Sequence, residues 1–319
     1  MTKILLLDKI AEKGLERFKE FSIIDDGCAF DQEKIKSVIG NYHGVIFKSG
    51  NRINREILLD AANLKFVARA GSGVDNIDIN TLNELDIKLF TSAKGNARSV
   101  AEYVLGTMIL LSHKLFESHL GAKNNNFQRH TWQGRNISEL SIGVIGYGVI
   151  GKEVVDLLAP LCKNILVYTN KELTFKNDNH SNVKFYNSIE EVVSMSEVIT
   201  IHTSLNPTTE YLFDEKLFKC MRKGSILINT ARGKIIEDSA LLNAFKDDTI
   251  AYAALDSLYP DPHYNTDPIL STYNHFLIHH PKVFYTPHIA AGTRDALEEV
   301  SENLASDVKY FLDETKNYN

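Results

Sequence analysis

Along most of the chain, short apolar runs alternate with stretches whose apolar residues fall three or four apart. Residues 3–8, rich in Ile and Leu, predict a strand, and residues 11–21 predict a helix with Leu15 and Phe18 on one face. Strand-like 21–26, helical 31–39, strand-like 44–49, helical 54–62 and strand-like 65–70 continue the alternation. Elements of this length in this order predict a parallel sheet covered on both faces. A helix over residues 99 to about 121 is expected to lead out of this first domain. The alternation then restarts, with strands near Ile142, Ile165, Val183, Val198, Ile226 and Ile250, the doubly wound pattern. A last helix over 294–312 is expected to return to the first domain. The predicted α/β organisation is a discontinuous domain, 1–98 with 289–319, around a continuous one, 99–288.

Gly146, Gly148 and Gly151 give this pattern a function, because they form G-x-G-x-x-G between the strand at Ile142 and a helix from Val149. The first glycine permits a tight turn, and the second lets backbone N–H groups approach a pyrophosphate. The third lets the helix pack closely, with its positive end aimed at the phosphates. A dinucleotide is the expected cofactor. The first domain has no such motif after its first strand, so it is expected to hold the substrate.

Composition narrows the rest. Of 319 residues, 44% are apolar and 24% charged, and the net charge of −6 gives no reason to expect nucleic acid or an anionic membrane as partner. The apolar run at 104–111 is interrupted by Gly106 and Thr107 and falls short of a bilayer span. The first residues are too brief an apolar run for a secretory signal. Cys28, Cys162 and Cys220 are isolated, as expected of a reducing compartment and a cytoplasmic protein. His275, His279 and His280 have suggestive spacing but no acidic or thiol partner in step with them, so no metal is expected.

Four more stretches carry chemistry. Residues 68–78, Ala-Arg-Ala-Gly-Ser-Gly-Val-Asp-Asn-Ile-Asp, end a strand in a glycine-bearing turn whose N–H groups suit a carboxylate; an ordinary strand-to-helix turn reads the same way. Ile226-Leu-Ile-Asn-Thr-Ala-Arg232 leaves an arginine at a strand's C-terminal end, where open α/β sheets hold ligands. Asp256 and Asp261 follow another strand, and Thr286-Pro-His288 precedes the last helix. A histidine titrates near neutrality, as proton transfer accompanying hydride transfer requires.

Together these stretches resemble the D-isomer-specific 2-hydroxyacid dehydrogenase family over nearly the whole chain. The likeness runs from Lys48-Ser49 through 69–78, Asn96-Ala-Arg-Ser-Val-Ala-Glu102 and the glycine motif to Arg232, Asp256 and Thr286-Pro-His288. It implies a Rossmann cofactor domain joined to a flavodoxin-like substrate domain, and a homodimer. It implies that Arg232 binds the substrate carboxylate and oxygen, that His288 is the acid/base and that Asp261 partners it. Asp256 would hold the nicotinamide carboxamide, with Val149, Ile150, Thr230 and Ala231 also lining the cofactor. Backbone groups at Ser72 and Gly73 would take the substrate carboxylate, flanked by Lys48.

Three departures matter. Asp261 stands where the family usually has Glu, the residue ending the second Rossmann strand is Thr169 and not Asp, and His202-Thr-Ser204-Leu lacks the usual proline. Without that carboxylate nothing repels a 2′-phosphate, and Thr169, Lys171 and Ser204 offer donors, so the expected cofactor is NADP or NAD with a lean to NADP. The expected reaction interconverts a small 2-keto acid and a D-2-hydroxy acid, hydroxypyruvate or glyoxylate favoured by Lys48 and Arg69. A phosphoglycerate dehydrogenase-like enzyme and a dinucleotide-sensing corepressor-like protein are the alternatives. Against the former, no C-terminal regulatory domain is expected after Leu312.

Overall fold

A computed structural model describes residues 1–170, 180–260 and 273–316. By internal packing the chain falls into two units, residues 1–96 with 291–319 and residues 97–290.

The first unit carries strands β1 (Thr2–Leu6), β2 (Ser22–Asp26), β3 (Gly44–Phe47), β4 (Phe66–Arg69) and β5 (Lys88–Thr91), interleaved with α1 (Glu12–Lys19), α2 (Gln32–Val38), α3 (Arg55–Leu59) and α4 (Ile79–Glu84). All pairings are parallel, in the order β2-β1-β3-β4-β5, which is the flavodoxin-like order. Alternate side chains of each strand face opposite ways. Leu5, Val45 and Phe47 therefore join Ile35 and Ile57 on one face, while Ile4, Leu6, Ile46 and Phe66 join Phe18, Leu304, Val308 and Leu312 on the other. The last three belong to α11 (Arg294–Lys316), which packs along α1. Asp31, Asn54 and Asp78 start α2, α3 and α4 by accepting the backbone N–H three residues on. Pattern reading passes over α4 and β5 because each is short and largely polar.

The second unit opens with α5 (Lys94–Ser112) and α6 (Leu115–Lys123), then β6 (Ser141–Ile145), α7 (Val149–Leu158), β7 (Asn164–Tyr168) and β8 (Val183–Tyr186). It continues through α8 (Ile189–Met195), β9 (Val198–Ile201), α9 (Glu215–Cys220), β10 (Ser225–Asn229), α10 (Asp238–Lys246), β11 (Ile250–Leu255) and β12 (Val283–Tyr285). The single helix expected over 99–121 is corrected here: it is two helices, broken where Lys114 takes a left-handed φ of 55°. The parallel order β12-β11-β10-β9-β6-β7-β8 is the doubly wound Rossmann order with one added edge strand. Ile142, Val144, Ile165 and Val167 pack with α5 and α7 on one face; Ile199, Ile201, Leu227 and Leu255 pack with α8, α9 and α10 on the other.

The register matters most for function. Ile145, Ile201, Asn229, Leu255 and Tyr285, the last residues of five strands, lie in one continuous row across the sheet. Whatever follows each of them in sequence emerges at the same edge. No helix among the described residues is long and apolar enough to cross a membrane.

Candidate functional site

The strand order reverses between β6 and β9, and the glycine motif sits at that point. Gly146 has φ +101°, and a Cβ there would come within 2.9 Å of the His202 backbone. A Cβ on Gly151 would lie 2.1 Å from the Gly146 carbonyl oxygen, so helix and turn touch directly. Around Gly148 a Cβ would meet nothing within 4 Å. Two glycines are thus demanded by the protein's own packing, whereas the middle one faces open space at the N-terminus of α7. That asymmetry fits a loop shaped around a pyrophosphate. Val149 beside it is exposed and Ile150 half-buried.

Two strands away, the buried Asn229 side chain closes the turn after β10. Its amide donates to the Arg232 carbonyl at 2.9 Å, and its oxygen accepts from the Ala231 N–H at 3.0 Å. The half-buried Arg232 is thereby fixed three residues past the strand end, with Nη1 also donating to the Ala231 carbonyl. A Cβ on Gly233 would lie 2.2 Å from the Leu258 backbone, which holds the next turn tight as well.

Asp256 follows β11 directly and is 1% exposed. Its carboxylate accepts from the Thr286 hydroxyl at 2.6 Å and from the Ile289 and Ala290 N–H groups at 2.8 Å each. Its backbone carbonyl accepts the His288 N–H at 2.8 Å. His288 itself is half-buried with φ +58°. Asp256, expected beside a nicotinamide carboxamide, turns its carboxylate onto the loop that carries His288. Burial raises its pKa, against the pull of the hydrogen bonds from Thr286, Ala290 and Ile289.

At the corresponding edge of the first unit, Lys48 follows β3, Arg69 ends β4, and Ser72 and Gly73 come just after it. The Lys48 N–H donates to Asp8 at 2.7 Å, and Asn76 donates to the Lys48 and Asn51 carbonyls at 2.9 and 2.7 Å. Burial pushes the Lys48 ammonium below its ordinary pKa, with Asp8 and Cys28 opposing. Arg69 is 6% exposed, and its Nη1 would lie 2.1 Å from a Cβ on Gly71, so the guanidinium rests on that glycine. Gly71 has φ +148°. Asn76 Oδ1 and, after β5, Ser92 Oγ are buried without a partner in the protein, as is Asn96 Oδ1 in α5.

The expected 2′-phosphate end is less favourable. Thr169 is 5% exposed, which leaves little of its hydroxyl for a ligand, whereas Ser204 is exposed. Lys171, the expected phosphate contact, and Asp261, the expected partner of His288, lie outside the described residues. Thr230 meets the His202 Nδ1 at 3.4 Å, and Thr200 its Nε2 at 2.8 Å. Burial pushes that imidazole down to about 3, so it stays neutral beneath the glycine loop. Of the suggestive histidines, His275 bonds Asp238 at 3.0 Å and His280 stacks on Phe245. Motif reading missed Asn229, Thr286 and Tyr103, whose hydroxyl lies 2.5 Å from that of Thr286. Thr286 stands inside a quoted motif, but only the three-dimensional pairing reveals its use.

Residues 105–290 match the family model described as D-isomer specific 2-hydroxyacid dehydrogenase, NAD binding domain. The D-3-phosphoglycerate dehydrogenase of Archaeoglobus fulgidus is 29% identical over 307 residues, spanning 96% of this chain and 56% of that protein. The enzyme of the same name from Methanocaldococcus jannaschii is 28% identical over 315 residues, spanning 98% and 58%. The chain thus spans a little over half the length of these relatives. A solved NAD-dependent formate dehydrogenase from Staphylococcus aureus, in complex with NAD, superimposes with a TM-score of 0.79 at 26% identity, covering 98% of this chain and 96% of that one. The chain belongs to the D-isomer specific 2-hydroxyacid dehydrogenase family.

Proposed function

We propose that the protein is a nicotinamide-dependent oxidoreductase interconverting a small 2-keto acid and its D-2-hydroxy acid. The observation that carries this reading is the strand-end row. It brings the glycine loop, Arg232 and the His288 loop to one edge of one sheet, where open α/β folds hold ligands. The residues fit the cofactor: Gly148 leaves open the space that a Cβ would fill, and the α7 N-terminus supplies N–H groups and positive potential. Gly146, Gly151, Val149 and Ile150 shape that loop; Thr230, Ala231 and Ser204 lie on adjoining strand ends. When bound, the cofactor supplies or accepts the hydride.

The chain's own groups do the remainder. Arg232 orients a carboxylate and polarises the adjacent carbonyl through its planar guanidinium. His288 Nε2 or Nδ1 gives a proton to the forming hydroxyl, or takes it in the reverse direction. Asp261 is proposed to stabilise the protonated ring. On the first unit, Ser72 and Gly73 are proposed to hold the substrate carboxylate, with Lys48 and Arg69 favouring a polar or anionic tail.

Hydroxypyruvate or glyoxylate is the favoured substrate. A second reading, phosphohydroxypyruvate, is supported by two cations at one edge and by the printed names of the relatives. NADP(H) is favoured by the missing carboxylate after β7, a preference that the burial of Thr169 shifts onto Lys171 and Ser204. Turnover of hydroxypyruvate, glyoxylate, pyruvate, phosphohydroxypyruvate and 2-ketoglutarate with NADH and NADPH tests all of this. His288→Ala should lower kcat about 10²–10⁴-fold. Dinucleotide binding with no turnover of any of the five acids would favour the corepressor-like alternative, and a tenfold advantage for NADH would overturn the cofactor preference.

A further inference from the structure

We propose that Tyr103, Thr286 and Asp256 form a positioning relay that holds the His288 loop, with Tyr103 the member contributed by α5. The inference rests on the reading of His288 as the acid/base and concerns what keeps that group in place.

An ionised carboxylate that is 1% exposed persists only where donors surround it. Asp256 has three in its carboxylate: Thr286 Oγ1 and the Ile289 N–H on Oδ1, and the Ala290 N–H on Oδ2. Its carbonyl takes the His288 N–H. Three successive backbone N–H groups, 288 to 290, are therefore pinned to one residue. The pinning has a purpose, because His288 sits at φ +58°, in the left-handed region that side-chain-bearing residues rarely adopt. Surrounding bonds must hold such a conformation, and these are the bonds present.

The direction of the relay follows from proton counting. A threonine hydroxyl has one proton, and at 2.6 Å from an ionised carboxylate it is spent there. Tyr103, 2.5 Å from the same oxygen, must then be the donor to it. Burial raises the pKa of the Tyr103 phenol, which keeps it a neutral donor. One helical turn earlier, Ser99 donates to the Ala290 carbonyl at 2.8 Å. Residues four apart share a helix face, so one face of α5 fixes both ends of the loop 286–290. Asp256 thus acts through His288 as a positioning residue.

The test uses Tyr103→Phe, Thr286→Ala and Thr286→Ser in the full chain, with Asp256→Asn added if it folds. Amide hydrogen exchange at Ile289 and Ala290 is read in the protein without substrate or cofactor, and kcat and KM with the best keto acid. The relay requires exchange at both amides to accelerate about tenfold or more in Tyr103→Phe and Thr286→Ala. It also requires kcat to fall about threefold and tenfold respectively, with both KM values within twofold and Thr286→Ser restoring most of the loss. Unchanged exchange in Tyr103→Phe and Thr286→Ala overturns the relay. Faster exchange with unchanged kcat also overturns it, as does a raised cofactor KM at constant kcat, which would return Asp256 to the carboxamide. His288→Ala separates the two claims: wild-type turnover there removes the acid/base reading, whereas the exchange measurement still decides whether the relay holds the loop.

Discussion

The C-terminal edges of the two sheets are built on opposite plans. In the second unit the edge is finished. Asp256 is almost fully buried with its carboxylate oxygens engaged, Asn229 closes the turn before Arg232, and His288 is held in a strained conformation by hydrogen bonds. Ser257 departs from this, since its buried hydroxyl has no partner. In the first unit the edge is unfinished: Asn76, whose amide holds the Lys48 carbonyl, and Ser92, which follows β5, keep buried side-chain oxygens without a partner in the protein, and burial lowers the pKa of Lys48. Buried polar atoms without partners typically lower stability by about 1–3 kcal/mol each, and native proteins keep few of them. An edge that keeps them relies less on its own hydrogen bonds than one whose polar atoms are paired within the protein. Chemistry requires preorganised groups, and substrate choice requires groups that the substrate itself completes.

On that contrast, removing a group from the finished edge should harm the transition state, and removing one from the unfinished edge should harm binding. Arg232→Ala gives the largest expected effect. Losing a fixed cation that faces a developing charge costs about 3 kcal/mol, and more than 100-fold in kcat/KM, with kcat itself reduced. Steady-state kinetics with saturating cofactor would show it. A rise in KM alone would place Arg232 among the binding groups and weaken the contrast.

Asn76 tests the other edge. Its amide donates to two backbone carbonyls, one of them Lys48's, so the amide orientation is set and Oδ1 is the atom left over. Asn76→Ala removes the staple that fixes the Lys48 strand end. Substrate KM should rise about fivefold, the scale of one net hydrogen bond at ~1 kcal/mol, with kcat within twofold. A fall in kcat at constant KM would show that this edge, too, is preorganised for the transition state.

The sequence makes one plan legible and hides the other. The glycine spacing, Arg232 and His288 announce themselves because their chemistry requires those residue types at strand ends, and strand ends are visible as breaks in apolar runs. The left-handed break at Lys114 has no such marker, since neither glycine nor proline stands there. The short elements α4, β5 and β12 have too few residues for a period to show. The hydroxyl pairing of Tyr103 with Thr286 spans 183 residues of sequence, and the use of Asp256 as a clamp follows from a loop geometry that no local pattern encodes. Thr169 shows what position alone leaves out: its place after β7 suggests an available hydroxyl, and the residue is 5% exposed.

The smallest expected effect concerns the stability that the unfinished edge gives up. Burial lowers the folded-state pKa of Lys48 even though Asp8 and Cys28 pull the other way. A lysine whose folded pKa lies below its unfolded value carries its charge at a net disadvantage. That disadvantage is complete below the folded pKa and fades as pH climbs through it towards 10.5, the unfolded value. Because the direction already includes the attraction of Asp8, removing the charge should help the fold despite leaving that carboxylate without its cation. Lys48→Met keeps the length and apolar stem, so packing changes little. The variant should therefore melt about 1–2 °C higher at pH 7, the shift that ~0.5 kcal/mol produces in a protein of this size. The gain should close as the pH approaches the lysine's unfolded value, while kcat/KM for the keto acid falls. Thermal melts across pH 7–10.5 decide the matter. A variant that melts lower than the wild type at pH 7 would mean that the attraction of Asp8 outweighs desolvation and that Lys48 stabilises this edge.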